Sequence, residues 1–186
     1  MTCLKNNSAF FLLLLLFVTT AGFSQTYTSK NVKVNLFSST PIEDIKASSN
    51  RGSGVIISQN GQFAFQVPIK SFQFAKGLMQ EHFNENYLES DKYPYAQFKG
   101  TIQQLPDLSK DGDYTVNAKG TLTVHGVSKE RIIPAKVTVR NGLVKVLSDF
   151  KVACVDHNIK IPTLVITKVA EVIAVNVEAT MNSLSK

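Results

Sequence analysis

The sequence predicts an all-β domain, an antiparallel sheet that closes or nearly closes into a barrel. Three observations carry this. Apolar and polar side chains alternate with a period of two in one segment after another, the pattern of strands with one buried face. The turns "QNGQ", "KDGD" and "RNGL" stand between such segments, and their Asn-Gly and Asp-Gly pairs favour tight hairpins. Helical material is scarce, so the apolar face must be covered by another sheet or by closure, and closure also removes exposed edges. A β-sandwich is the second architecture these patterns allow.

In chain order, Val32, Val34 and Leu36 share one side of the first strand, and Phe63, Phe65, Val67 and Ile69 share one side of the next. Then "AKGLMQEHFNENYLES" changes period. Leu78, Met79, His82, Phe83 and Tyr87 recur at i, i+3 and i+4, which predicts one short amphipathic helix, with Gly77 as a hinge in its approach. Ala96, Phe98, Gly100 and Ile102 resume the period of two. The clearest alternation is "YTVNAKGTLTVHGV", where Val116, Ala118, Gly120, Leu122 and Val124 alternate with polar residues as far as His125. Ile133, Ala135, Val137 and Val139 follow, then Phe150, Val152 and Cys154, and last Ile173, Val175, Val177 and Ala179. A single short helix covers too little to seal a sheet, so it belongs at the barrel's mouth or against its side.

The inward set Phe63, Phe65, Val67, Phe98, Ile102, Val116, Leu122, Val124, Val137, Phe150, Val152, Ile173, Val175 and Val177 is either the wall of a cavity or a solid core. Alternation alone does not separate the two. Small residues on the same parity, Ala96, Gly100, Ala118, Gly120 and Ala135, either leave volume beside the phenylalanines or form barrel corners.

At the N-terminus, Lys5 precedes the apolar run "FFLLLLLFV", and Gly22 and Ser24 place small side chains before a cut after Ser24. This is the pattern of a secretory signal, and the run falls short of the about 20 apolar residues a spanning helix needs. Residues 1–24 are therefore expected to be a signal peptide and 25–186 one barrel domain, periplasmic or secreted. Cys3 precedes the apolar run, which excludes it as a lipoprotein cysteine. Cys154 is then alone, so no internal disulfide framework forms and stability must come from packing. The chain's formal net charge is +6. Its lysines are scattered as a solvated outer face would have them, and export argues against nucleic acid. An anionic membrane surface is a transient partner consistent with them, contributing about 1 kcal/mol for each Lys or Arg held near it. A homodimer is compatible with the sequence.

The sequence gives no basis for an enzyme. It contains no Gly-x-Ser-x-Gly elbow, phosphate loop or His-Glu-x-x-His helix. His82 with Glu81 or Glu85, and Asp156 with His157, offer two metal ligands each without a third, so no metal or other cofactor is assigned. In "CVDH" an extended backbone would put Cys154 and His157 on opposite faces, and Cys154 reads as a small apolar packing residue.

The words "STPIEDIKASS", "FAFQVPIKSFQFAKGLMQEHFNENYLESDKYPYAQFKG", "KGTLTVHGVSKE" and "DHNIKIP", in this order, resemble the YceI-like family over nearly all of the chain after the signal. The resemblance implies a lipocalin-like antiparallel barrel of about eight strands with the short helix near its mouth. It also implies an apolar ligand in the interior, such as a polyisoprenoid, so that the inward set becomes ligand-binding wall. Phe83 and Tyr87 of the helix join that set at the entrance, where the helix serves either as a lid or as a seal on the core. The function implied is an exported carrier or buffer for a long apolar chain, a polyisoprenoid or quinone tail. The other reading is a stress-response or structural interaction protein whose barrel is filled by its own side chains.

Overall fold

The computed structural model describes residues 25–161 and 169–184; the expected signal peptide lies outside them. Among these residues nine strands form one sheet: β1 (Thr26–Ser39), β2 (Asp44–Ile57), β3 (Gln62–Pro68), β4 (Gln73–Phe74), β5 (Tyr95–Gln103), β6 (Gly112–Val124), β7 (Val127–Arg140), β8 (Leu143–Ala153) and β9 (Val172–Leu184). Each long strand pairs antiparallel with its neighbours in the order β1-β9-β8-β7-β6-β5-β3-β2, and β1 pairs with β2 to close the ring. The result is an eight-stranded antiparallel barrel, with β4 added beside the first half of β2 through Ala47↔Phe74.

The register fixes two ends. Thr26 pairs with Ile57 and Leu184, and this end also carries the starts of β3, β6 and β8. Here the interior is solid: Tyr27, Ile56, Val139, Val144 and Met181 are at most 2% exposed. The Tyr27 hydroxyl lies 3.0 Å from the Leu108 carbonyl, which satisfies a polar atom that would be costly to bury alone. The opposite end carries the β1–β2 turn, the starts of β5, β7 and β9, and the segment from Ile69 to Pro94.

Turn chemistry explains the hairpins. Asn141 and Gly142 join β7 to β8 with φ of 51° and 75°, the doubly positive geometry of a type I′ turn. His125 and Gly126 do the same between β6 and β7, at 51° and 72°. The expected strand position of His125 is thereby corrected: a His-Gly pair, less obvious than Asn-Gly, turns the chain. "KDGD" is not a tight hairpin, because a longer connection runs from Gln104 to Asp111 before β6 begins.

Gly100 and Gly120 settle part of the question about small inward residues. They face each other across β5 and β6, and a Cβ on Gly100 would stand 2.1 Å from the Lys119 carbonyl oxygen. They form a corner where two backbones approach rather than leaving open volume.

The β7–β8 ladder runs only from Arg140↔Leu143 to Lys136↔Leu147. Beyond it stands Pro134, which has no N–H to give. Side chains replace the ladder: Ser148 Oγ donates to the Pro134 carbonyl at 2.7 Å and Arg131 donates to the Lys151 carbonyl at 2.7 Å.

An apolar cavity at one end of the barrel

A cavity of about 500 Å³ occupies the end opposite the solid core, within the roughly 300–1,000 Å³ usual for small-molecule sites. Its wall is built strand by strand from the inward parity. β3 and β5 supply Phe65, Val67 and Phe98; β6 supplies Leu122 and Val124; β8 supplies Phe150 and Val152; β9 supplies Ile173, Val175 and Val177. The helical segment adds Phe83 and Tyr87. The Phe65 ring lies across Gly54 of β2, in space that a Cβ there would fill at 2.3 Å.

Four residues of the expected wall stand elsewhere. Phe63, Ile102, Val116 and Val137 lie toward the solid end, 2–8% exposed, within the buried core. They have the inward parity but the wrong height along the barrel axis. Phe63 packs against Phe98 with ring centroids 4.9 Å apart and planes tilted by 54°, and forms part of the cavity's floor support rather than its surface.

The wall also includes residues absent from the expected set. Val32, Val34 and Leu36 of β1 showed the right alternation, whereas Ile45 and Ala47 of β2 are hidden in the polar run "DIKASSNRGSG". Ile69, Phe72 and Phe74 follow β3. Ile69 lies not in the strand but in a 3-10 turn, Ile69–Ser71, because β3 stops at Pro68.

Over the mouth lies α1 (Gly77–His82), continued by a π-helical turn through Tyr87. Leu78, Met79, His82, Phe83 and Tyr87 all border the cavity, as helical spacing requires of one face. Phe83 rests against Phe72 and Phe74, at 5.6 and 4.9 Å between centroids. Lys76, just before α1, pairs with Glu43 of the β1–β2 turn at 2.6 Å. At the far end, Glu89 accepts from His125 Nε2 at 2.6 Å, and Tyr93 meets the His125 ring edge-on.

Cys154 and His157 are corrected in geometry. They occupy a 3-10 turn rather than an extended segment, and both are buried. His157 Nδ1 donates to the Val127 carbonyl at 3.0 Å. Cys154 borders the cavity, and burial, with Glu171 as a lesser influence, pushes its thiol up from its ordinary range. Burial likewise raises the Tyr87 phenol, with Cys154 adding to it. Among the described residues no three His, Cys, Asp or Glu side chains converge to hold a metal.

A closed eight-stranded barrel with an apolar cavity at one end and a short helix across its mouth is the architecture of a small-ligand-holding barrel. The chain belongs to the YceI-like domain family, whose model matches residues 19–181. No curated protein matches. Among solved structures it is similar to a polyisoprenoid binding domain from Saccharophagus degradans implicated in plant cell wall breakdown, at 16% identity and TM-score 0.71, covering 85% of this chain and 98% of that one. It is similar to Burkholderia cenocepacia BcnA, at 14% identity and TM-score 0.68, over 80% and 95% of the two chains. The Campylobacter jejuni YCEI protein matches at 16% identity and TM-score 0.60, over 100% of each. At these identities the likeness is one of fold.

Proposed function

We propose that this protein is an exported carrier or buffer that holds one long apolar chain, an isoprenoid lipid or quinone tail, inside its barrel. The observation that carries the reading is the cavity wall, apolar from the Phe65–Phe98 layer up to the helix. The polyisoprenoid named for the Saccharophagus structure supports the choice of ligand class. A self-filled barrel would account for the solid end but leaves the cavity without a purpose. Binding, not catalysis, is the role these side chains suit.

Magnitudes shape how such a carrier works. Each CH₂ withdrawn from water stabilises by about 0.8 kcal/mol, so a five-carbon unit gains on the order of 4 kcal/mol. A bilayer offers nearly the same gain, which suits exchange with a membrane better than permanent capture. Ile42, Leu78, Val155 and Val172 lie around the mouth and are 62%, 63%, 78% and 47% exposed. That apolar rim supports transient contact with a membrane surface during loading. Export through a leader ending near Ser24 completes the proposal.

Mass spectrometry of an organic extract of the purified protein tests it. A stoichiometric prenyl or other long-chain lipid is the expected result, lost in Phe65→Asp and Val124→Asp because each puts an unpaired carboxylate into the cavity. Ligand-free wild-type protein that also fails to take up an added prenyl chain would refute the carrier reading. Intact mass of the exported protein tests the leader, and retention of Met1–Ser24 counts against it.

A further inference from the structure

Both ring nitrogens of His125 are engaged, and by groups that can only accept. Nε2 lies 2.6 Å from a Glu89 carboxylate oxygen, and Nδ1 lies 3.1 Å from the His157 carbonyl oxygen. A neutral imidazole has one N–H and one lone pair, so it serves one of these acceptors and sets lone pair against lone pair at the other. The His125 side chain is only 12% exposed, which leaves water little room to relieve the mismatch. The imidazolium serves both acceptors, and the short Nε2 contact is of the charge-assisted kind. His157 is the contrast: its Nδ1 donates to the Val127 carbonyl while its buried Nε2 meets no partner among the described residues, the pattern of a neutral ring.

His125 also stands where three pieces meet. It belongs to the β6–β7 turn, Glu89 lies just past the helical segment over the mouth, and His157 ends the 3-10 turn Cys154–His157 that follows β8. The β7–β8 ladder has stopped before this height, at Lys136↔Leu147, so side-chain contacts tie the turn to β7. Tyr93 seats the chain after the helix on the hairpin, its ring filling the space where a Cβ on Gly126 would stand 2.4 Å away. The other described charges on these elements do not favour a cation here. Asp91 pairs with Lys70, and Asp156 with Arg131, while Lys92, Lys129 and Lys160 are exposed and oppose it. Glu89 is the carboxylate that holds it.

We propose that His125 is a protonation-controlled latch on the helical lid: as the imidazolium it ties Glu89, at the end of the lid, to the 3-10 turn beside the cavity, and loss of its proton releases one tie and eases exchange of cargo. This rests on the carrier reading. The closed arrangement needs a proton that the open one does not, so closure is favoured on the acid side of the histidine range and weakens as pH rises through it. A glutamine at position 89 would abolish that dependence. Its Oε1 accepts from the imidazolium and its Nε2 donates to the neutral ring, so it serves either state.

Transfer of a fluorescent prenyl analogue from the loaded full barrel to phosphatidylcholine vesicles, followed from about pH 5.5 to about pH 8, tests the latch. Wild-type transfer should quicken by about fivefold or more as pH rises, and Glu89→Gln should change by less than about twofold. His125→Asn, which keeps a residue suited to the φ of 51° at this turn, should be fast at both ends of the range. These variants retain His82 and His157, so any pH dependence that survives in them belongs to those rings, and His82→Gln should keep the wild-type profile. Nitrogen chemical shifts of isotope-labelled histidine read the ring directly: the His125 signals, assigned by their loss in His125→Asn, should show two protonated nitrogens at about pH 6. Transfer that is flat or slows as pH rises, a Glu89→Gln profile like that of wild type, or one protonated nitrogen on His125 overturns the latch while the carrier reading stands. If the barrel takes up no prenyl analogue, the carrier reading falls and takes the latch with it.

Discussion

At the residue scale, parity was legible and height was not. Alternation puts Phe63 and Phe65 on the same face of β3, and both are inside the barrel, yet Phe63 belongs to the packed core and Phe65 to the cavity wall. A period of two records which way a side chain points; only the register among strands records how far along the axis it sits. The two phenylalanines should therefore fail differently. Phe63→Ala removes a ring that is 6% exposed, expected to cost about 3–5 kcal/mol and to lower the melting temperature sharply. Phe65→Ala should instead enlarge the cavity and shift the length of chain it retains, with a smaller loss of stability. Thermal melts and extracts of both variants check this; equal destabilisation would mean that the Phe65 ring is core. The Cys154 thiol, raised by burial, is expected to react with iodoacetamide far more slowly at pH 8 in the native protein than in denaturant, because the thiolate is the reactive form. Peptide mapping at Cys154 measures both rates, and equal rates would place the thiol in solvent.

At the element scale, strands with alternating faces and the helix at 3.6-residue spacing were readable, while connections depended on chemistry that the patterns conceal. His125–Gly126 turned a long apparent strand into a hairpin. Pro134 ended a ladder that side chains then completed. Two-residue β4 carries too short a pattern to be seen, although it supplies Phe74, on which the helix rests. That helix is held by an aromatic seat, a hydrogen bond from the Phe74 amide to Gln80 Oε1, an ion pair at its start and a His–Glu contact past its end. Such an element lifts more readily than hydrogen-bonded strands part. Phe83 is half-buried, so Phe83→Ala should cost less than the about 3–5 kcal/mol of a fully buried ring and should speed transfer of a fluorescent isoprenoid analogue to vesicles. A cross-link between α1 and the β1–β2 turn should slow it. A large drop in melting temperature with unchanged transfer would show that the helix is a seal on the core.

At the scale of the molecule, closure followed from scarce helix and one-faced strands, but the division of the barrel into a solid end and an open end had no signal in the sequence. It depends on which residues meet at the axis. The division implies that stability and cargo reside in different halves, and the titrating groups make this testable. At the solid end, Asp113 accepts from Thr138 at 2.8 Å and pairs with Arg140; these contacts, the Thr138 hydrogen bond foremost, hold its carboxyl below its ordinary value of 3.8. Asp107 is lowered in the same way, chiefly by hydrogen bonds from Ser109. Tyr27, beside the same loop, is raised above its ordinary 10.0, first by burial and then by the charge of Asp107. A depressed carboxyl contributes stability that is present above the unfolded value and is lost as pH falls through the folded one. A raised phenol contributes stability that is present below pH 10 and is lost as pH climbs through the folded value. The barrel should accordingly hold a plateau of stability between the two limbs. Asp113→Asn should flatten the acid limb, and Tyr27→Phe the alkaline limb. Because both groups lie away from the cavity, neither change should alter the cargo found at neutral pH. Denaturant unfolding from pH 2 to 11, with extracts taken at pH 7, measures all of this. If Tyr27→Phe leaves the alkaline limb unchanged, the phenol is not what limits the solid end; if it empties the cavity, the two halves of the barrel are coupled and their separation must be abandoned.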